Sequence, residues 1–153
     1  MRSAPTNRAQ SKAVILLVDD NRDGVIARRA VLEELGYDVV SAGCGPDALQ
    51  LVDAQNFDLI ITDYKMEPMG GLELISLLRQ KNFKRPIILL TGFADTLGLK
   101  PESTGADAVI QKSANEISTL VRQTKRFLAL PRKPAGSYAS RGLARGKASG
   151  LQS

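Results

Sequence analysis

Between Ala13 and about Leu130, short apolar, β-branched runs alternate with stretches of helical period, the pattern of repeated βα units around a parallel sheet. The runs predict five strands, at 13–18, 38–42, 58–62, 86–91 and 107–111. Helices are predicted at about 22–35, 46–55, 71–81 and 114–130. A short, irregular one is expected near 94–100, where Gly98 and Pro101 oppose a long helix. The last helix is the clearest, because Ile117, Leu120, Val121, Thr124, Phe127 and Leu128 recur at the spacing of one buried stripe. Punctuation agrees: Gly36 suits a helix stop, Gly45-Pro46 a start with proline at the first helical position, and Ser113-Ala-Asn-Glu116 a capping box. The predicted architecture is a doubly wound α/β fold, a five-stranded parallel sheet in the order 2-1-3-4-5 with five helices.

The periodicity ends on both sides of this unit. Residues 1–12 are expected to form a flexible segment, 13–130 the folded domain and 131–153 a basic tail. The tail mixes Pro, Gly, Ser and Ala without apolar period, so it cannot offset its ordering entropy and is expected to be disordered.

Composition narrows the chemistry. A 153-residue chain with 43% hydrophobic and 24% charged residues suits one globular core. Its longest strictly apolar run, 13–18, is far below the roughly 18 residues that span a bilayer. The first 13 residues hold no signal-peptide core, so a cytoplasmic protein without membrane insertion is expected. Cys44 is the sole cysteine; it excludes an internal disulfide and reads as a small packing residue. The absence of histidine removes a Ser-His-Asp triad, an imidazole base and histidine-based metal sites. Chemistry is left to carboxylates, hydroxyls, lysines and oxygen-seeking metals. The net charge of +5 does not point to nucleic acid, since the five basic residues after Leu130 account for all of it. A solubilising tail is expected, rather than one that grips nucleic acid or anionic lipid. Arg28 and Arg29 on the first helix are read as a solvated face.

In an open parallel sheet, ligands bind beyond the carboxyl ends of the strands where the connection order reverses. The polar residues of interest stand there: Asp19 and Asp20 after strand one, Asp63 after strand three, Thr91 ending strand four and Lys112 ending strand five. Strands one and three are neighbours in this order, which puts Asp63 about 5 Å from the aspartate pair in backbone terms. Three crowded carboxylates are costly without a cation, and an all-oxygen set of modest size suits Mg²⁺. A carboxylate beside Mg²⁺ can act as a nucleophile toward phosphate, and Asp63 is assigned that role. Lys112, roughly 10 Å away across two strands, has a stem long enough to reach phosphate oxygens, and the Thr91 hydroxyl can donate to the same group.

These residues resemble the receiver domain of two-component response regulators, a flavodoxin-like fold. The resemblance spans about Lys12 to Leu130 and rests on LLVDDN, LIITDYKMEPMGGLEL around Asp63, LLTGFA with Thr91 and VIQK with Lys112, in that order. It implies a phosphoacceptor switch rather than an enzyme. Asp63 would be phosphorylated by a sensor histidine kinase or phosphotransfer partner, and Thr91 and Lys112 would sense the phosphoryl group. Asp20, Asp63 and the main-chain carbonyl of Lys65 would bind Mg²⁺, with Asp19 helping through water. Output would pass to a downstream protein, and phosphorylation-driven dimerisation through the last helix stays open.

Several positions depart from that family's pattern. Glu67 replaces a proline and is expected to face solvent, and Gly70 replaces an acid. Ser113 replaces the proline after the lysine, so a trans peptide is expected there. Val109 stands where the family has a switch aromatic, which implies another output route. Lys65 and Phe93 flank the phosphoryl position and are assigned the lifetime of the phosphoaspartate. Two alternatives remain: a degenerate receiver acting by binding alone, and an aspartate-nucleophile phosphatase, for which the residue two after Asp63 is Lys65 rather than the acid required. A flavin carrier is set aside because the first loop, DDNRDG, is acidic where a flavin phosphate needs donors.

Overall fold

A computed structural model describes residues 12–92 and 98–129. The predicted start, the basic tail and Phe93 lie outside the described residues. The chain runs β1 (Val14–Val18), α1 (Arg22–Glu34), β2 (Asp38–Ala42), α2 (Gly45–Ala54) and β3 (Leu59–Asp63). It continues through α3 (Gly71–Gln80), β4 (Ile87–Thr91), α4 (Pro101–Thr104), β5 (Ala108–Gln111) and α5 (Glu116–Ala129). All strand pairings are parallel, as the alternation predicts, and the order is β2-β1-β3-β4-β5, the one expected of this doubly wound fold. Among the described residues no helix is long and apolar enough to cross a membrane.

Both faces of the sheet are covered, so its central strands β1, β3 and β4 are near-continuous apolar runs. Leu16, Val18, Ile60 and Leu89 pack on one face against Ala48 of α2 and Leu74, Ile75 and Leu78 of α3. On the other face, Ile15, Leu17, Ile61 and Leu90 pack against Leu32 of α1 and Leu120 of α5. Each fully buried Leu or Ile stabilises the fold by roughly 1.5–3 kcal/mol before entropy is counted. The first polar residues along β1 and β3 therefore stand at the carboxyl edge, where the register Val18↔Thr62 sets the two strand ends side by side.

Local chemistry moves some boundaries from their predicted places. Strand β3 starts one residue late because the Asp58 side chain accepts the Val14 N–H, and it extends through Asp63, which pairs with Leu90. Gly36 ends α1 with φ of +99°, a left-handed conformation that glycine adopts without penalty. The predicted short helix near 94–100 falls mostly on residues 94–97, outside the described residues; the described fourth helix is Pro101–Thr104. Pro101 starts this helix instead of stopping one, since the first turn has no use for its missing N–H. The predicted capping box of α5 does not form. The Ser113 hydroxyl accepts the Asn115 N–H at 3.3 Å, and the Glu116 carboxylate turns away to Arg28.

Candidate functional site

The carboxyl edge gathers the acids that the sequence singles out. Asp19 and Asp63 are buried, Asp20 is exposed, and one oxygen from each lies within 4.8 Å of the others. Backbone contacts fix this geometry. The Asp19 N–H donates to the Ala42 carbonyl at 3.1 Å, and the Tyr64 N–H donates to the Leu90 carbonyl at 2.8 Å, extending the ladders past the strand ends. The loop after Asp63 is then drawn back under it, because the Gly71 N–H donates to the Tyr64 carbonyl at 2.8 Å. A Cβ at Gly71 would collide with the Asp63 carbonyl oxygen, so α3 can start this close only from a glycine.

Lys112 and Thr91 complete the edge from β5 and β4. The Lys112 N–H donates to the Thr91 carbonyl at 2.8 Å, and the Lys112 ammonium reaches Asp63 Oδ1 at 2.6 Å. Its flexible stem thus crosses the two-strand gap. Thr91 is buried at the end of β4. Burial pushes the Asp63 carboxyl above its usual range, and the Asp19 charge adds to the rise, against the Lys112 ammonium, which pulls it down. A shallow depression of about 220 Å³, lined by Asp19, Asp20, Arg22, the end of β2 and Gly43, opens beside the acids. A larger cleft, of about 630 Å³, lies at the opposite end of the sheet, between Lys12, Asn56, Lys84 and Arg85, and has no part in this cluster.

One member of the site was missed. Arg28 does not face solvent: its side chain is 8% exposed, with Nη1 2.7 Å from Asp19 Oδ2 and Nε 2.5 Å from Glu116 Oε2. Burial alone would lower its pKa, but the hydrogen bond and charge of Glu116, with those of Asp19, outweigh it and raise the value. The signal was in the helical period. Val25, Arg28 and Leu32 occupy i, i+3 and i+7 of the stripe that faces the sheet, so Arg28 fills a position patterned for an apolar residue. Arg29, also read as solvated, is half-buried and donates to the Val39 carbonyl at 2.9 Å.

Against known proteins, the sequence profile of the response regulator receiver domain matches residues 15–123. The chain belongs to the response-regulator receiver family. Among curated proteins, the alkaline phosphatase synthesis transcriptional regulatory protein PhoP of Bacillus subtilis is 35% identical over 114 residues, covering 71% of this chain and 46% of PhoP. The receiver chain spans less than half the length of the curated relatives it matches. The solved response regulator TrrA of Thermotoga maritima, in complex with Mg(2+)-BeF, superposes with a TM-score of 0.68 at 32% identity, covering 75% of this chain and 98% of TrrA. TrrA in complex with the histidine kinase ThkA gives a TM-score of 0.68 at 33% identity, covering 76% of this chain and 98% of TrrA.

The departures of this receiver from its family's pattern also have places. Glu67 is exposed, as expected, and Gly70 is the N-cap of α3. Val109 is half-buried on β5, paired with Leu89. The peptide before Ser113 is trans, the cis bond among the described residues being Glu67–Pro68. Cys44 is the N-cap of α2, and Met66 and Leu74 pack in the core.

Proposed function

We propose that this receiver, over residues 13–130, is a phosphoacceptor switch in which Asp63 takes a phosphoryl group from a phosphohistidine of a sensor kinase or phosphotransfer protein. The observation behind this reading is the meeting of Asp19, Asp20 and Asp63 within 4.8 Å, with the Lys112 ammonium on Asp63. In the transfer, an Asp63 carboxylate oxygen attacks phosphorus as the P–N bond breaks, and the departing imidazole takes up a proton. The Lys112 ammonium moves from Asp63 Oδ1 to a phosphoryl oxygen, and the Thr91 hydroxyl donates to another. These two residues report phosphorylation to the surface that a downstream protein reads.

The donor set fits Mg²⁺: it is all oxygen, and exposed Asp20 leaves room for retained waters. Asp20, Asp63 and the Lys65 carbonyl would hold the ion, with Asp19 acting through water. When bound, Mg²⁺ supplies charge neutralisation for the incoming phosphoryl oxygens. The description of TrrA as an Mg(2+)-BeF complex, and of its assembly with the kinase ThkA, supports extending both partners to this chain. Lys65 is exposed beside Asp63, which suits the proposed control of phosphoaspartate lifetime.

Incubation with acetyl phosphate and Mg²⁺, followed by intact mass, tests the proposal. The expected result is a gain of one phosphoryl group by the parent and none by Asp63→Asn. An unmodified parent would refute it and leave the binding-only receiver. Release of phosphate from added phosphomonoesters would favour the phosphatase instead.

A further inference from the structure

Asp19 already has a permanent cation. Its Oδ1 accepts the Asn21 N–H at 2.9 Å, and its Oδ2 accepts Arg28 Nη1 at 2.7 Å in a buried contact. The α1 backbone makes room for this contact. A Cβ at Gly24 would lie 2.7 Å from Arg28 Nη1 and 3.1 Å from Asp19 Oδ2, so a side chain there would push the guanidinium off the carboxylate. The same guanidinium grips Glu116, the first residue of α5, through Nε. Arg28 thus stands between two acids on different elements, one in the site and one at the head of a helix. A fork of fixed donors can serve both, but not with equal strength when the charge on one of them changes.

We infer that Arg28 is a positioning residue that couples cation uptake at the acids to the first turn of α5, by sharing its guanidinium between Asp19 and Glu116. The inference rests on the proposed Mg²⁺ site. A divalent ion drawing on Asp19, directly or through water, weakens the hold of Asp19 on Arg28, and the guanidinium then leans on Glu116. Coupling of this kind is reciprocal: whatever strengthens Arg28 on Asp19 weakens the ion, and whatever detaches it strengthens the ion. Glu116 stands three residues after Ser113 in the loop that follows Lys112, so the link enters the same segment that the Lys112–Asp63 pair anchors. It provides a path from the site to α5 that does not run through Val109.

Calorimetric titration of the metal-free protein with MgCl₂, paired with hydrogen exchange of residues 113–119, tests the coupling. Arg28→Met is expected to bind Mg²⁺ about 5-fold or more tighter, the lower end of typical coupling between sites. Gly24→Ala, which keeps every charge and places a better helix former in α1, is expected to shift affinity in the same direction. Glu116→Gln, which leaves Arg28 to Asp19 alone, is expected to weaken binding severalfold in the parent and to have little effect in the Arg28→Met background. Mg²⁺ should change exchange in the first turn of α5 in the parent and not in Arg28→Met. Unchanged affinity in both Arg28→Met and Gly24→Ala, with the parent binding normally, would overturn the inference. So would a Glu116→Gln effect of the same size with and without Arg28, since that is a general field effect. A parent that takes up no Mg²⁺ overturns this inference and the metal reading together.

Discussion

Strand β3 has an aspartate at each end, and the two lead different lives. Asp58, just before the strand, gives one oxygen to the Val14 N–H at 2.8 Å and lies 3.5 Å from Arg85. Asp107, just before β5, does the same for its neighbour, accepting the Ile87 N–H at 2.9 Å and Arg79 at 3.0 Å. These two carboxylates at the amino end each serve a backbone donor and an arginine. At the carboxyl end Asp19, Asp20 and Asp63 crowd together, with Lys112 and Arg28 as their cations. One end spends its charges on closing the sheet. The other accumulates an electrostatic conflict that a proton or a further cation would relieve, a pattern common at working sites.

That contrast can be broken most severely through the backbone. Gly71→Ala forces a methyl group against the Asp63 carbonyl oxygen and the Tyr64 Cα, neither of which can swing aside. The expected cost is roughly 3 kcal/mol in urea unfolding, with reduced phosphoryl uptake, because α3 must retreat from Asp63. An unchanged urea midpoint would show that the close approach is not what holds the loop. At the amino end, Asp107→Ala is expected to cost about 1–2 kcal/mol. Most of that comes from the orphaned Ile87 N–H, because the Arg79 pair is partly exposed and weak. Replacing Arg79 should therefore do less harm through this ion pair than replacing Asp107, although Arg79 also donates to the carbonyls of Phe83 and Gly105.

Much of this was legible because a parallel sheet covered on both faces tolerates polar residues only at its ends. Asp19, Asp63 and Thr91 announce themselves by ending apolar runs, and the alternation of runs points to a parallel α/β sheet, whose strand order comes from the doubly wound fold type. What could not be read were contacts made at long range against a residue's usual habit. Glu116 fits a local capping box with Ser113, yet its partner Arg28 is 88 residues away, and the stronger charge-assisted bond wins. Arg28 itself looked solvated because arginine usually is, although its place in the Val25–Leu32 stripe argued otherwise. Pro101 is ambiguous in sequence because proline both starts and stops helices, and the choice depends on which neighbours follow.

The smallest expected effect has the opposite sign at the two ends. Removing a carboxylate at the amino end destabilises, whereas Asp63→Asn is expected to stabilise the metal-free protein by on the order of 1 kcal/mol at neutral pH. The cause is the raised pKa of Asp63: the folded protein holds that proton more tightly than the unfolded chain does. The stability associated with the proton is fully present below the ordinary value of 3.8 and is lost as pH rises through the higher folded value. Asparagine never ionises, so its advantage over the parent should be near zero in acid and grow to a plateau above the folded pKa. Urea midpoints of both proteins in EDTA across that range measure it. Mg²⁺ then supplies an independent check, because an ion at tenfold its Kd stabilises the parent by about 1.4 kcal/mol and should erase the asparagine advantage. If the advantage is independent of pH, or persists in Mg²⁺, the crowding of charge at the carboxyl edge is not what distinguishes it from the amino edge.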